Sequence, residues 1–276
     1  MDTINYSFII PVYNRPEEVK ELLESLNALE FSRPFEIVIV EDGSSQPCKD
    51  VVDKFKTLTI SYFAKSNSGP GLSRNYGMAR AKGNYFIILD SDCILPPKYL
   101  QVVDAFLSKN FVACYGGADA AHAQFTNLQK AINFVMTSFI TTGGIRGNTQ
   151  SVSTFEPRSF NMGLSKTVFE ATGGFVNLHP GEDPDLSLRI RKAGFKTAFI
   201  PGAAVFHKRR ISWRKFYTQV YKFGMVRPIL NVWHPEAIKL TYWFPSVFLI
   251  GFLCATLAAL AWHWAFALPF LCYFFI

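Results

Sequence analysis

The chain has 276 residues, 49% of them hydrophobic, and carries 28 Lys and Arg against 21 Asp and Glu, a formal charge of +7. It is long enough to bury a sizeable core, as one large domain or two small ones. Its five cysteines are odd in number and lack a Cys-x-x-Cys pair, which argues against a disulfide framework or a zinc site and for reduced thiols.

The first residues, MDTINYSFIIPVYN, lack a basic n-region and a long apolar h-region, so no signal peptide is expected and catalysis is placed in the cytosol. Apolar runs at 8–12 and 36–40 predict strands. Between them, Val19, Leu22, Leu23, Leu26 and Leu29 fall on one helical face, giving a βαβ unit. A helix over 48–55 leads to a short strand at 59–63. GPGLSRNYGMARAKG is then a glycine-broken loop running into a helix that ends at Gly83. The unbroken apolar run at 85–89 has the pattern of a strand buried on both faces. Strands alternating with helices predict an α/β fold, a mainly parallel sheet with helices on both faces.

Further on, 99–107 and 127–140 are predicted helices and 112–115 a short strand. The polar, glycine-rich loop TTGGIRGNTQS at 141–151 is a candidate mobile lid on the acceptor side. GEDPDLSLRIRKAG predicts a helix with Asp183 as N-cap, Pro184 at the first helical position and Gly194 at its close. No acidic residue occurs between Asp185 and Glu236. Lys208, Arg209, Arg210, Arg214, Lys215, Lys222 and Arg227 lie there, interleaved with Trp213, Phe216, Tyr217, Tyr221 and Phe223. That mixture predicts an amphipathic basic helix on an anionic leaflet, with nucleic-acid binding as the alternative.

From 240 to 276 there is no Asp, Glu, Lys or Arg. About 20 apolar residues cross a hydrocarbon core of roughly 30 Å, so a span is predicted at Phe244–Ala261, with Trp262, His263 and Trp264 at the interface. The residues beyond are too few for a second crossing, and a buried core hairpin is the alternative. Adjacency to this tail favours a membrane over nucleic acid as partner of the basic segment. Positive-inside bias puts the region before the span on the cytoplasmic side.

In parallel sheets, ligands gather outside the carboxyl ends of the strands. Here those ends carry PVYN (11–14), EDGSS (41–45) and DSD (90–92). Asp90 and Asp92 supply hard oxygens suited to Mg²⁺ or Mn²⁺ shared with substrate phosphates, or else form an ordinary turn. Asp42 is placed to accept hydrogen bonds from an imide or ribose, or to cap a turn. Arg74 and the backbone N–H groups at its helix start suit an anionic nucleotide, although Arg74 could equally be a surface charge. The stretch is neither GxGxxG nor a P-loop. Asp183 is a cap, a general base, or both. His207 is a nitrogen ligand for a divalent cation or a solvated imidazole.

In order, SFIIPVYNRPEEVKELLESL, EIVIVEDGSS, SNSGPGLSRNYGMARAKGNYFIILDSD, GEDPDLSLRIRKAGF and AVFH resemble the GT-A-fold family 2 glycosyltransferases over roughly residues 4–207. The resemblance implies a GT-A (Rossmann-like) catalytic domain at 1–207, followed by the interfacial segment 208–239 and the membrane-associated segment 240–276. It also implies that Pro11, Tyr13, Asp42, Asn67, Arg74, Asp90 and Ser91 frame a nucleotide-sugar, that Asp90, Asp92 and His207 hold Mn²⁺ or Mg²⁺, and that Asp183 is the catalytic base with Glu182 beside the acceptor. The implied activity is inverting transfer from a nucleotide-sugar, expected to be a UDP-sugar, to a hydroxyl of a glycan or lipid-linked acceptor in cell-surface polysaccharide or glycolipid synthesis. Location at the cell membrane follows, with no nucleic-acid partner. Glu41 stands where the family often has Asp, and Cys93 where a third acidic residue is common. Two alternatives are a nucleotidyltransferase and an inactive membrane scaffold. The first expects a glycine- and basic-rich loop where this chain has PVYNRPEEV; the second is disfavoured by the intact set Asp42, Asp90, Asp92, Asp183 and His207.

Overall fold

Numbered in chain order, β1 (Tyr6–Val12), β2 (Glu36–Asp42) and β4 (Tyr85–Leu89) are buried almost throughout. They belong to a computed structural model that describes residues 3–120, 126–137, 155–207 and 212–274. β3 (Ile60–Lys65), at the sheet edge, is half-buried. Side chains alternate along β1: Phe8, Ile10 and Val12 join Val19, Leu22, Leu23 and Leu26 of α1 (Pro16–Asn27) in one cluster. Ile9 faces the other way and packs with Val38, Val40 and Met78. Met78 ends α3 (Pro70–Met78). The helix predicted over 48–55 shrinks to α2 (Lys49–Val52).

The eight described strands form one sheet in the order β3-β2-β1-β4-β7-β6-β8-β5. β1 to β4 pair in parallel, and β6 (Cys114–Ala120) is parallel to β8 (Thr197–His207). β7 (Asn161–Ser165) runs antiparallel between β4 and β6, and the two-residue β5 (Cys93–Ile94) runs antiparallel to β8. The mainly parallel sheet expected from the sequence is therefore a mixed one. The reversal has a consequence: Leu89 at the end of β4 pairs with Asn161 at the start of β7, so the segment before β7 arrives at the carboxyl edge of the parallel strands.

Asn161 locks this join. Its Oδ1 accepts from the Tyr99 hydroxyl at 2.6 Å, and its Nδ2 donates to the Ala203 carbonyl at 2.7 Å and the Ala118 carbonyl at 3.2 Å. One amide thereby ties α4 (Tyr99–Lys109) to β6, β7 and β8. α5 (Asn127–Thr137) matches the described part of the helix predicted over 127–140. α6 (Lys166–Thr172) is capped by Ser165, whose hydroxyl accepts from Val168 N, and α7 (Glu182–Lys192) follows.

α8 (Trp213–Trp233) departs from the amphipathic expectation. Val226 and Leu230 are buried on one face, yet Trp213, Tyr217, Tyr221 and Met225 are exposed on the opposite one. It is apolar on both sides. The chain divides into two compact units, Met1–Leu230 and Asn231–Ile276. Within the second, α9 (Phe244–Ala261) packs Phe248 and Phe252 against Phe270 of α10 (Leu268–Phe274), with ring centroids 5.3 and 5.4 Å apart. Among the described residues, α9 is the one helix long and apolar enough to cross a membrane, by length and composition.

Gly163 in β7 offers a test of packing at the sheet centre. A Cβ there would lie 1.9 Å from Tyr115 Cε1, and that ring is stacked on Tyr85. Gly163→Ala is expected to destabilise the protein by about 1–3 kcal/mol, the usual cost of overpacking. Urea unfolding of the two proteins checks it.

Candidate active site

At the carboxyl edge of the sheet lies a cavity of about 660 Å³. Pro11 and Tyr13 reach it from the end of β1, Asp42 from β2, Asn67 from the loop after β3, and Asp90, Ser91 and Asp92 from the end of β4. Arg74 comes from α3, Glu182 and Asp183 from the start of α7, and Arg158, Ser159 and Phe160 from the segment before β7. Every site residue named from the sequence lines this cavity, apart from His207. His207 ends β8, its backbone paired with Cys93 beside Asp92; its side chain lies outside the described residues. The 141–151 loop and residues 208–211 lie outside them as well.

Asp42 is 3% exposed. Its carboxylate accepts from Lys65 Nζ, Ser68 N and Gly69 N, and its carbonyl accepts from Asn67 Nδ2 at 2.8 Å. This folds the 67–69 loop onto the end of β2. The loop closes because residue 43 is glycine: φ is +74°, and a Cβ would come within 2.7 Å of Asn67 N. Glu41 does different work. Its carboxylate accepts from Ser44 Oγ, from Cys48 N at 2.7 Å and from the Tyr62 hydroxyl at 3.1 Å. The longer side chain thus anchors the turn and α2 and is absent from the cavity lining. Cys93 is buried, with Sγ 3.4 Å from the Phe160 carbonyl, and serves as a packing residue.

The two aspartates after β4 are each met by an arginine. Arg74 Nη2 donates to Asp90 Oδ1 at 2.7 Å, and Nη1 lies 3.3 Å from Glu182 Oε1. The Arg74 guanidinium also sits 5.2 Å from the Phe175 ring centroid. Burial works against its charge, and Asp90, Asp183 and Glu182 more than restore it. Asp92 Oδ2 accepts from Arg15 Nη1 at 2.8 Å. The sequence reading missed Arg15, and equally Arg158 and His179, which also line the cavity. Only the position of Arg15, directly after PVYN at a strand end, was a usable signal.

The start of α7 corrects the expected cap. Gly181, at φ +119°, is the N-cap, so Glu182 opens the helix and Asp183 sits one residue inside it. Pro184 remains in the first turn, where its missing N–H has no helical partner to lose. A Cβ on Gly181 would lie 2.4 Å from Val226 Cγ1, so α8 closes directly over this turn. Released from capping, Asp183 has a buried Oδ1 with no hydrogen-bond partner among the described residues. Burial pushes its carboxyl up and the Glu182 charge adds to that, while Arg74, Arg158 and the Ser159 hydroxyl offset only part. Glu182 goes the other way. Burial opposes its ionisation, but His179, whose Nδ1 lies 2.9 Å from Oε1, and the Arg74 charge hold the carboxyl below its usual range. The two adjacent carboxyls are thus shifted in opposite directions by their surroundings.

Among the described residues no three His, Cys, Asp or Glu side chains gather as a metal cage. Asp90 and Asp92 nevertheless fit Mg²⁺ or Mn²⁺, which use one or two carboxylates together with substrate phosphates.

The glycosyl transferase family 2 model matches residues 7–173. The chain belongs to that family. The poly(ribitol-phosphate) beta-N-acetylglucosaminyltransferase TarS of Staphylococcus aureus is 31% identical over 111 residues, 39% of this chain and 19% of TarS. The probable glycosyltransferase YdaM of Bacillus subtilis is 24% identical over 225 residues, 77% of this chain and 53% of YdaM. These relatives are matched over only part of their length. Among solved structures, TarS 1–349 in complex with UDP-GlcNAc superposes with a TM-score of 0.59 at 20% identity, covering 76% of this chain and 60% of that one. The mannosyltransferase PcManGT from Pyrobaculum calidifontis, in complex with GDP-Man and Mn²⁺, gives 0.61 at 15%, covering 81% and 62%. At these identities the likeness is one of fold, the GT-A glycosyltransferase architecture, and family membership rests on the sequence match.

Because its folded-state pKa is raised, Asp183 favours the native state most when protonated, and that contribution is lost as pH rises through the raised value. Asp183→Asn should therefore melt no lower than the parent at pH 7, any advantage shrinking as pH falls toward the ordinary aspartate pKa of about 3.9. Calorimetric melting across that pH range checks the sign.

Proposed function

We propose that the protein is an inverting glycosyltransferase that moves a sugar from a nucleotide-sugar, of which a UDP-sugar is the first to test, to a hydroxyl acceptor. The observation that carries this reading is Asp183: a half-buried side chain with one buried, unpartnered carboxyl oxygen and an upward-shifted pKa, on the wall of the cavity that holds Asp42, Asp90 and Asp92. A carboxylate that is costly to ionise is a stronger base once ionised, as deprotonating a hydroxyl requires.

In this reading Pro11, Tyr13, Asp42 and Asn67 frame the base and ribose, with Arg74 and Ser91 near the phosphates. Asp90, Asp92 and His207 would hold Mn²⁺ or Mg²⁺, which when bound stabilises negative charge on the departing nucleoside diphosphate. Asp183 takes the acceptor's proton while the acceptor oxygen attacks the anomeric carbon from the face opposite the leaving group. One displacement inverts the centre, with no covalent nucleophile. Glu182, kept ionised by Arg74 and His179, orients the acceptor. α8, with Gln219 and Val226 in the cavity lining, forms the remaining wall.

The second unit belongs to the same proposal. α9 contains no charged residue over Phe244–Ala261, and the outward aromatic face of α8 suits a lipid headgroup layer. In this proposal the protein works at the cytoplasmic side of the cell membrane, on a glycan or lipid-linked acceptor of surface polysaccharide or glycolipid synthesis.

Two experiments separate the parts. Asp183→Asn should keep donor affinity while transfer falls at least about a hundredfold, within the 10²- to 10⁴-fold typical of a lost general base; transfer at the parent rate would move the base to Glu182 or Asp185. A chain ending at Lys239 should melt cooperatively without detergent, whereas the chain to 276 should float with liposomes. A shortened chain that aggregates would show that the apolar helices complete a protein core instead.

A further inference from the structure

The two arginines at the β4 carboxylates are held in unlike ways. Arg74 has a side chain 4% exposed, pinned between Asp90 and Glu182 and against Phe175. Arg15 is 33% exposed, stands at the rim just before α1, and is joined to Asp92 through one nitrogen at 2.8 Å, with Glu18 at 3.6 Å. Both line the cavity. Arg74 is held by three groups in the interior, whereas Arg15 is held by carboxylates alone, on a side chain one third exposed.

We propose that Arg15 is an exchangeable counter-ion. It neutralises Asp92 when no cation is bound, gives the carboxylate up to the divalent ion, and then pairs with the diphosphate of the donor. This rests on the reading above that Asp92 holds that ion. The physical reason is competition: a guanidinium on one oxygen of Asp92 and a divalent ion on the same carboxylate are like charges a few ångströms apart, so each raises the cost of the other. Displacing Arg15 without offering it a new anion forfeits the 2.8 Å pairing and leaves it the longer one to Glu18, so the ion alone binds weakly. A diphosphate in the same cavity supplies the new partner, with geometry that a guanidinium matches well. Cation and nucleotide therefore strengthen each other's binding through one side chain, and by linkage the effect is reciprocal. No bond is made or broken; only ion pairs exchange.

The test titrates the full-length protein with Mn²⁺, following free Mn²⁺ by electron paramagnetic resonance, with and without UDP. Arg15→Gln should bind Mn²⁺ alone at least about fivefold more tightly than the parent, and the factor by which UDP tightens Mn²⁺ should shrink by a similar ratio, the scale of a typical coupling between two ligands. Arg15→Met, which keeps the apolar stem, carries the same expectation and serves if the Gln variant does not melt like the parent. An unchanged or weaker affinity for Mn²⁺ alone in a folded variant overturns the exchange. Asp92→Asn distinguishes the deeper failure. If it binds Mn²⁺ and UDP like the parent, the metal assignment itself is wrong and the exchange falls with it; if it loses Mn²⁺ while Arg15→Gln behaves like the parent, only the exchange is lost.

Discussion

Charge compensation at the mouth of β4 is the constraint on which the rest of the site depends. A strand whose five residues are all buried ends in two half-buried carboxylates, whose partial desolvation is offset only if each finds a positive partner. The chain meets this with two guanidiniums carried by different elements. Arg74 brings α3 and, through Glu182, the start of α7. Arg15 brings the β1–α1 junction. The same electrostatics that could hold a cation and a diphosphate therefore also fix where three loops lie before either arrives.

The reversal of β7 supplies the other half of the cavity. A further parallel strand would have reached this edge with its carboxyl end, whereas β7 presents the residues before its start, among them Arg158 and Ser159. Those two residues moderate the Asp183 carboxyl without cancelling the effect of burial. Glu182 and Asp183, neighbours in sequence, part company because one meets Arg74 and His179 while the other is left with an unpartnered oxygen. Environment, not residue type, divides their chemistry.

What the sequence disclosed follows the range of the interactions involved. The parallel half of the sheet was legible because buried strands need continuous apolar runs, and 85–89 was located to the residue. Cavity residues at strand ends were legible for the same reason: strand direction alone carries them to one edge. β7 was not, since NMGLS has neither the length nor the apolar continuity of a buried strand and owes its place to Asn161 bonding across to Ala118 and Ala203. Nor was the pairing of Arg15 with Asp92, 77 residues apart, or the helix start at Gly181, where the Pro184 signal pointed two residues too far along.

α8 shows a different limit. Periodicity distinguishes a helix with one apolar face from a polar one, but a helix that is apolar on two opposite faces yields no net direction. Here the inward face is accounted for by protein: Val226 packs on the turn that carries Asp183, and Leu230 is buried. The outward face, with Trp213, Tyr217 and Tyr221 exposed beside Arg214, is unusual for a surface helix in water. Under the membrane reading, both faces are explained by one arrangement. The residues that wall the candidate acceptor side then lie a single helix diameter, about 10–12 Å with side chains, from the lipid surface. A lipid-linked acceptor would need to cross only that helix to bring its hydroxyl to Asp183, which makes the position of α8, more than the apolar tail itself, the element that would couple the reaction to the membrane.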